Sequence, residues 1–382
     1  MVQIIKKLFL IFLLVLIIIG VYYFFFRDQE SSDYLDTIDA VTSSDGLIFA
    51  VGRNNNNDQK LTKAKFTIYD EQQQKIYERV YNKGYRSQFY DISLDEDDVV
   101  VVGGFDDSKK DYQNHNSTAL LLKYSHDGEL LFEKRFDGVS NSKFVDVISI
   151  DDGYLVFGTG KKDQQDIGLL LKYYNDGTLA WEKEFTEGNS EFSSAIVVDE
   201  KIYVVGRQNH HGLLVMYTMD GTLEQYITYE DTDSLGFSDI VEVDRYLVVT
   251  TGIKESNDKV LPGLIRYDLD LEYVNEISYT SEHSGRFLKV VKDSNDDLVV
   301  LGSTSENKKN DNVIHHSYIG KYRSNLTEAQ VVPYYNEEDD YFTDIILMDD
   351  SYLVSGYSYY PEQGYLGKFL SYSSALKLLE VK

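Results

Sequence analysis

Three stretches of this chain read almost alike: LLLKYSHDGELLFEKRF at Leu120–Phe136, LLLKYYNDGTLAWEKEF at Leu169–Phe185 and LLVMYTMDGTLEQYITY at Leu213–Tyr229. Aligning the chain on the aromatic of the "KY" pair gives Tyr69, Tyr124, Tyr173, Tyr217, Tyr267, Tyr322 and Phe369. Twelve residues later comes Tyr81, Phe136, Phe185, Tyr229, Tyr279 or Tyr334, with Val381 in the last copy. Two further series precede each of these. A short apolar run ends in glycine at Gly52, Gly103, Gly158, Gly206, Gly252, Gly302 and Gly356. Before it stands Phe89, Phe144, Phe192, Phe237, Phe287 or Phe342, with Thr37 in the first copy. Two residues after this position comes Asp39, Asp91, Asp146, Asp239 or Asp344, replaced by Ser194 and Lys289 in the other copies. Three independent series with one spacing, 44 to 55 residues, mean seven copies of one structural unit.

Each unit reads as four strands. In the third copy Phe144–Ile150 alternates, Asp151-Asp152-Gly153 turns, and Tyr154–Phe157 forms a second apolar strand ending at Gly158. Leu169–Tyr173 and Thr178–Phe185 follow, joined by Asn175-Asp176-Gly177. Asp-Gly between β-rich runs signals a hairpin, because glycine supplies the positive φ that a tight reversed turn needs. Only three prolines occur in 382 residues, so few strands are barred from pairing on both edges. A four-stranded unit repeated seven times predicts an all-β, seven-bladed propeller over residues 34–382. The 32 tyrosines and 19 phenylalanines then fill the wedges between twisted blades. With the innermost strand first in each unit, the ring is expected to close blade 7 on blade 1 without an exchanged strand; residues 28–35 are free to add a short outer one. The recurrent aspartate is expected to tie blades together by hydrogen bonds, with an axial channel lining as the alternative.

The unit "strand, DG, strand ending in G, loop, KY-x-x-DG-x-x-x-W" resembles kelch-type blades and the repeats of bacterial exported propellers. The double glycine of kelch occurs only at Gly103-Gly104 and the tryptophan only at Trp181, with Phe132 and Tyr77 in its place elsewhere. The turn also resembles the quinoprotein-like repeat, which implies a quinone cofactor in its enzymes and envelope scaffolding in its cofactor-free members. One tryptophan and no cysteine favour the cofactor-free kind, so no cofactor is expected. Resemblance at this level implies a fold, since propellers host unrelated activities.

The first residues are of another character. Lys6 and Lys7 precede an apolar run from Leu8 to Phe26 broken only by Gly20. Nineteen helical residues would span roughly 28 Å, near the hydrocarbon thickness of a bilayer. A cleaved signal peptide would have a shorter apolar core and small residues at the cut, whereas Val21–Phe26 is bulky. Residues 8–26 are therefore expected to be an uncleaved transmembrane signal anchor, with 1–7 in the cytosol and 27–33 as a short linker. Lysines before the run, and a lone Arg27 beside Asp28 after it, place the propeller outside the cytoplasm as a single-pass type II membrane protein.

Net charge is −27, and residues 1–27 contribute +3, which leaves −30 for the remainder. Such a surface repels nucleic acid and anionic lipid. The chain has no cysteine, which rules out thiol catalysis and Cys-ligated zinc. No His-Glu-x-x-His occurs, and Asp293–Asp297 begins like a calcium loop but has Leu298 where glycine is needed and Thr304 where glutamate is needed. No metal is expected. There is no Gly-x-Ser-x-Gly elbow and no phosphate-cradling loop, so no catalytic residue is named. Basic groups concentrate instead in the loops between second and third strands, and aromatic and basic residues in the blade connections. The candidate binding set on this loop face is Arg53, Tyr85, Arg86, Tyr112, Lys161, Lys162, Arg207, His210, His211, Arg286 and Tyr341. Cations suit a polyanion, and aromatics beside carboxylates suit sugar rings. The expectation is a scaffold binding an envelope protein or cell-surface polymer; the alternative is a carboxylate-dependent glycan-active hydrolase or lyase at the same face.

Overall fold

The computed structural model describes residues 34–56, 61–96, 98–107, 116–231, 235–307, 313–334, 339–361 and 363–382. The expected cytosolic segment, anchor and linker (1–33) and Tyr112 lie outside the described residues. Among the described residues no helix is long and apolar enough to cross a membrane.

Twenty-eight strands form seven antiparallel blades of four, in chain order, spanning 34–80, 86–136, 140–185, 190–229, 240–278, 284–334 and 339–381. Blade 3 is representative: Ser140–Ile150, Gly153–Lys162, Gln165–Tyr174 and Leu179–Phe185, each hydrogen-bonded to the next. The second and third strands bury nearly every side chain because both their faces meet neighbouring blades, whereas the fourth strands are largely exposed. The strands also run past the glycine that ends each apolar run. Lys161 and Lys162 are strand residues, and only Asp163 and Gln164 turn, both at positive φ. Asn209 and His210 make the same two-residue reversed turn in blade 4.

Backbone register explains the recurrent glycine. In six of the blades the first strand carries a β-bulge just after the residue facing it; the shorter first strand of blade 5 pairs without one. The bulge pushes the preceding carbonyl over the glycine, so that a Cβ at Gly52, Gly103, Gly158, Gly206 or Gly356 would collide with that oxygen. The recurrent phenylalanine is buried against the preceding blade: Phe192 covers Gly168 and Phe237 covers Gly212, positions where a side chain would meet the ring. Aromatic pairs such as Phe66–Tyr124, stacked at 4.6 Å, cross from blade to blade.

Register also corrects the repeat frame at both ends. Opposite Gly52 stands Ile38, not Thr37, so the residue equivalent to Asp91, Asp146 and Asp344 is Ala40, and Asp39 occupies the bulge itself. In blade 7 the aromatic of the third strand is Tyr372, opposite Tyr352, rather than Phe369, and its partner twelve residues on would fall beyond Lys382. The first slip arises because blade 1 has Ile38 where the other copies carry Phe, the second because blade 7 offers Phe369 three residues before Tyr372 and has no Asp-Gly after it to fix the frame.

Seven hydrophobic clusters straddle the blade junctions; the one between blades 7 and 1 (Ile38, Val41, Ile48, Ala50, Leu353 and Phe369) is the smallest. Blade 7 takes all four strands from the C-terminal end of the chain, so no strand is exchanged. The seam is crossed instead by a short parallel pairing of Tyr34 and Leu35 with Gly364 and Tyr365 of the third strand of blade 7.

Candidate loop-face binding site

Around the axis the first strands present Ala40, Asp91, Asp146, Ser194, Asp239, Lys289 and Asp344. Each aspartate carboxylate accepts a backbone N–H from the next blade: Asp91 from Val147 (2.9 Å), Asp146 from Ala195 (2.6 Å), Asp239 from Val290 (2.9 Å) and Asp344 from Val41 (2.9 Å). Ser194 donates to Asp239 at 2.7 Å, and the Lys289 ammonium lies 3.9 Å from Asp344. The two expectations for the recurrent aspartate are therefore one arrangement, since the same carboxylates tie the blades and face the axis. Burial holds the carboxyls of Asp91, Asp146 and Asp344 above their usual range, and the charge of Asp146 adds to the rise at Asp91. Lys289 is held charged: burial alone would depress it, but Asp239, Asp344, Asp91 and Asp146 surround it. The ring is internally neutralised in part and belongs to the scaffold.

One step toward the loop face the side chains stop repeating. The residue before the recurrent Phe pairs with the residue after the recurrent Gly, and this tier reads Thr37–Arg53, Gln88–Gly104, Lys143–Thr159, Glu191–Arg207, Arg286–Ser303 and Tyr341–Tyr357 in six of the blades. Here the side chains differ from blade to blade, some of them exposed in part and others, Thr37 and Arg286, buried.

Blades 1 to 3 use this tier to make a cavity of about 280 Å³, whose lining includes Arg53, Arg86, Gln88, Tyr90 and Lys143, one carboxylate, Asp106, and Phe105 at its wall. The cavity exists because blade 2 carries Gly104 where other blades carry arginine, threonine, serine or tyrosine. Arg53 Nη1 donates to Gln88 Oε1 at 3.3 Å, and Gln88 Nε2 donates to Asp39 Oδ2 at 3.0 Å. Lys143 Nζ lies 5.7 Å from the centre of the Tyr90 ring. Burial raises the Asp39 carboxyl to about 6, although the Arg53 guanidinium and Gln88 pull the other way. Burial likewise pushes Tyr90 and Tyr357 up to about 12, with Asp39 adding to both shifts and Arg53 opposing them.

Beyond Arg53, blade 7 adds four half-buried tyrosines. Tyr341 stacks on Tyr357 at 4.9 Å and 24°, Tyr365 meets Tyr357 edge-on at 5.6 Å, and Tyr359 lies 4.9 Å from Tyr365. Register places Tyr341 opposite Tyr357 and Tyr359 opposite Tyr365, so one blade face carries all four. Cavity and tyrosines together form an arc over blades 7, 1, 2 and 3.

Of the candidates read from sequence, Arg53, Arg86 and Tyr341 fall on this arc, and Tyr85 adjoins it through the bond from its backbone N–H to the Asp106 carbonyl at 2.7 Å. The others lie elsewhere on the rim and are engaged by the protein itself. Lys161 pairs with Asp166 (3.4 Å), Lys162 with Glu184 (2.5 Å) and Arg207 with Glu191 (2.7 Å). Arg286 is buried and donates to the Gly236 carbonyl and Ser238 Oγ. His210 forms a hairpin tip beside His211. Lys143, Gln88, Tyr90, Asp39, Tyr357, Tyr359 and Tyr365 were missed as site residues. Their signal was present in part: Lys143, Gln88, Tyr90, Tyr357 and Tyr359 sit one to three residues from a repeat anchor, where the copies disagree, whereas Asp39 was read as an anchor itself and Tyr365 lies further away. Among the described residues no group of His, Asp and Glu has an arrangement that could hold a metal ion.

No known sequence family and no curated protein matches the chain. Solved structures match it at the level of fold. The β-propeller domain of the Trilobed protease from Pyrococcus furiosus, described as having an open velcro topology, superposes with a TM-score of 0.52 at 11% identity, over 89% of this chain and 93% of that one. Puromycin hydrolase gives 0.56 at 9% identity, over 92% of this chain but only 55% of its own length. The acylaminoacyl peptidase of Pyrococcus horikoshii gives 0.52 at 9%, over 92% and 53%. The chain thus spans about half the length of these two hydrolases. Nothing here is specific to kelch or quinoprotein propellers.

Proposed function

We propose that this propeller is a recognition module, tethered by residues 8–26 outside the cytoplasm, that binds an anionic envelope protein or polymer along the arc over blades 7, 1, 2 and 3. The observation that carries the reading is the convergence of Arg53, Arg86 and Lys143 on one cavity in a molecule whose net charge is −27. An acidic exterior repels polyanions at long range, so a local cationic cavity selects for a ligand that fits it. Elsewhere on the rim Lys161, Lys162 and Arg207 pair with carboxylates and do not converge on this cavity. The short linker, 27–33, would keep the ring near the membrane, which suits a partner in the membrane or inner wall.

The test is crosslinking of full-length protein in its native membrane, followed by mass spectrometry. Reversing Arg53 and Lys143 to Glu should abolish enrichment of the partner, while reversing Lys161 and Lys162 should not. An unchanged set of co-purifying molecules in the Arg53/Lys143 variant would overturn the reading. Labelling of residues after Arg27 only from the cytosolic side would overturn the placement.

One observation favours a second reading, a glycan-active enzyme. Asp39 is a carboxyl held near 6 beside the cavity, which suits a general acid at neutral pH. Turnover of a wall polymer by the full-length protein, lost in Asp39→Asn with binding retained, would establish it.

A further inference from the structure

Most tyrosines of this chain are explained by blade packing. Tyr124, Tyr173, Tyr217, Tyr267, Tyr322 and Tyr372 occupy one repeat position and are at most 4% exposed. Tyr341, Tyr357, Tyr359 and Tyr365 belong to a different class. None occupies a recurrent aromatic position, each keeps part of its ring exposed, and all four stand on one face of blade 7. The stretch that carries three of them, SGYSYYPEQGY at Ser355–Tyr365, begins with Tyr357 where the other blades carry Arg53, Gly104, Thr159, Arg207, Ile253 and Ser303. Among the described residues a cluster outside the packing scheme, half open, and on the side of Arg53 has no counterpart in the other six blades.

The chemistry of the arc is graded along its length. At one end are guanidinium and ammonium groups, Arg53, Arg86 and Lys143. At the other are flat amphipathic rings. Beside them Gln88 and Asp39 offer amide and carboxyl groups, Gln88 accepting from Arg53 at 3.3 Å and donating to Asp39 at 3.0 Å. Phosphate alone would use the cations and ignore the rings. An acidic peptide would use the cations and has little reason to prefer tyrosine faces next to a hydroxyl acceptor. A sugar chain bearing carboxylates uses all three: charge for the carboxylate, acceptors for the hydroxyls, and ring faces for the apolar side of each pyranose.

We propose that the arc is a binding site for an acidic, carboxylate-bearing polysaccharide, whose charged units sit in the cavity between blades 1, 2 and 3 and whose neighbouring units stack on the tyrosines of blade 7. This deepens the anionic-partner reading above and rests on it. Tyr357 is the joint of the site, since it stacks on Tyr341 and meets Tyr365, whose backbone pairs with Leu35 of blade 1.

The experiment measures binding to the full-length protein in detergent by calorimetry, with four probes: a galacturonate oligosaccharide of six or more units, a neutral glucan of equal length, polyphosphate and polyglutamate. The expected result is that the oligogalacturonate binds and the neutral glucan does not. Arg53→Gln and Tyr357→Ala should each weaken binding tenfold or more, and Tyr357→Phe should restore most of what Tyr357→Ala loses. Tyr365→Ala serves as a second probe of the shelf should Tyr357→Ala fail to fold. If polyphosphate or polyglutamate binds as tightly as the oligogalacturonate, or if neither tyrosine substitution changes the affinity, the sugar assignment is overturned while the anionic-partner reading stands. If no anion binds, both fall.

Discussion

At the scale of residues, two charged groups have consequences that can be measured. Lys368 and Asp340 form an ion pair in blade 7 at 7% and 0% exposure, with Ser358 Oγ bonded to both at 2.6 and 2.5 Å. Burial pulls Lys368 down against the attraction of Asp340. Removing one partner strands the other in a low-dielectric interior, so Lys368→Met should cost roughly 3–5 kcal/mol in chemical denaturation, and adding Asp340→Leu should recover much of it. Asp39 is the second group. Its carboxyl is raised from 3.8 to about 6, so the folded state holds its proton more tightly than the unfolded chain. Below pH 4 the group is protonated in both states; as pH rises from 4 to 6 the stability it contributes is lost. Binding follows the same proton, because a neutral Asp39 no longer offsets Arg53. Anion affinity should rise about threefold to tenfold from pH 7 to pH 5, and Asp39→Asn should flatten that profile.

At the scale of elements, the blade is held by a bulge, a glycine and an inter-blade carboxylate acting together. Gly206→Ala would place a Cβ against the Glu191 carbonyl, so the first and second strands of blade 4 must separate or shift. A loss of about 2 kcal/mol or more in thermal or denaturant unfolding is expected. Asp146→Ala removes the acceptor for the Ala195 N–H and should cost about 1–3 kcal/mol. Turns show how far local sequence reaches. Gly128, Gly177 and Gly221 adopt positive φ where Asp-Gly announced a hairpin. The same turns in blades 5, 6 and 7 place Leu271, Leu326 and Leu376 at φ of 64°, 66° and 56°. These leucines are 3% exposed or less, so apolar burial offsets the backbone strain, and no turn rule sees them coming.

At the scale of the whole molecule, ring closure is the weak point. Among the described side chains the cluster between blades 7 and 1 holds six buried residues, against ten to fifteen at each other junction. The parallel pairing across it spans only Tyr34–Leu35 and Gly364–Tyr365. Native-state amide exchange should therefore show 34–44 and 364–381 opening first, and Ile38→Ala should accelerate that opening more than exchange in blades 3 and 4. A ligand lying along the arc from blade 7 to blade 3 would bridge this seam and protect the same amides.

Blade number, strand order and the role of the recurrent aromatics were legible because a repeated unit prints its packing requirements seven times. A glycine under a bulged carbonyl, a ring over a glycine and an aspartate bonded to the next blade are each demanded by local geometry. The register of the end copies was not legible. Ala40 and Tyr372 had lost the neighbours that identify their counterparts, and only backbone pairing restores the alignment. The site was half legible: Arg53, Arg86 and Tyr341 were read as loop-face groups, whereas the engagement of Lys161, Lys162, Arg207 and Arg286 by the protein itself was not. The tertiary structure alone decided which cations share a cavity and which tyrosines escape packing. The physical reason is that repeats constrain what touches within and between adjacent blades. A site spread over four blades depends on closure of the ring, which brings residues about 300 positions apart, such as Arg53 and Tyr357, side by side.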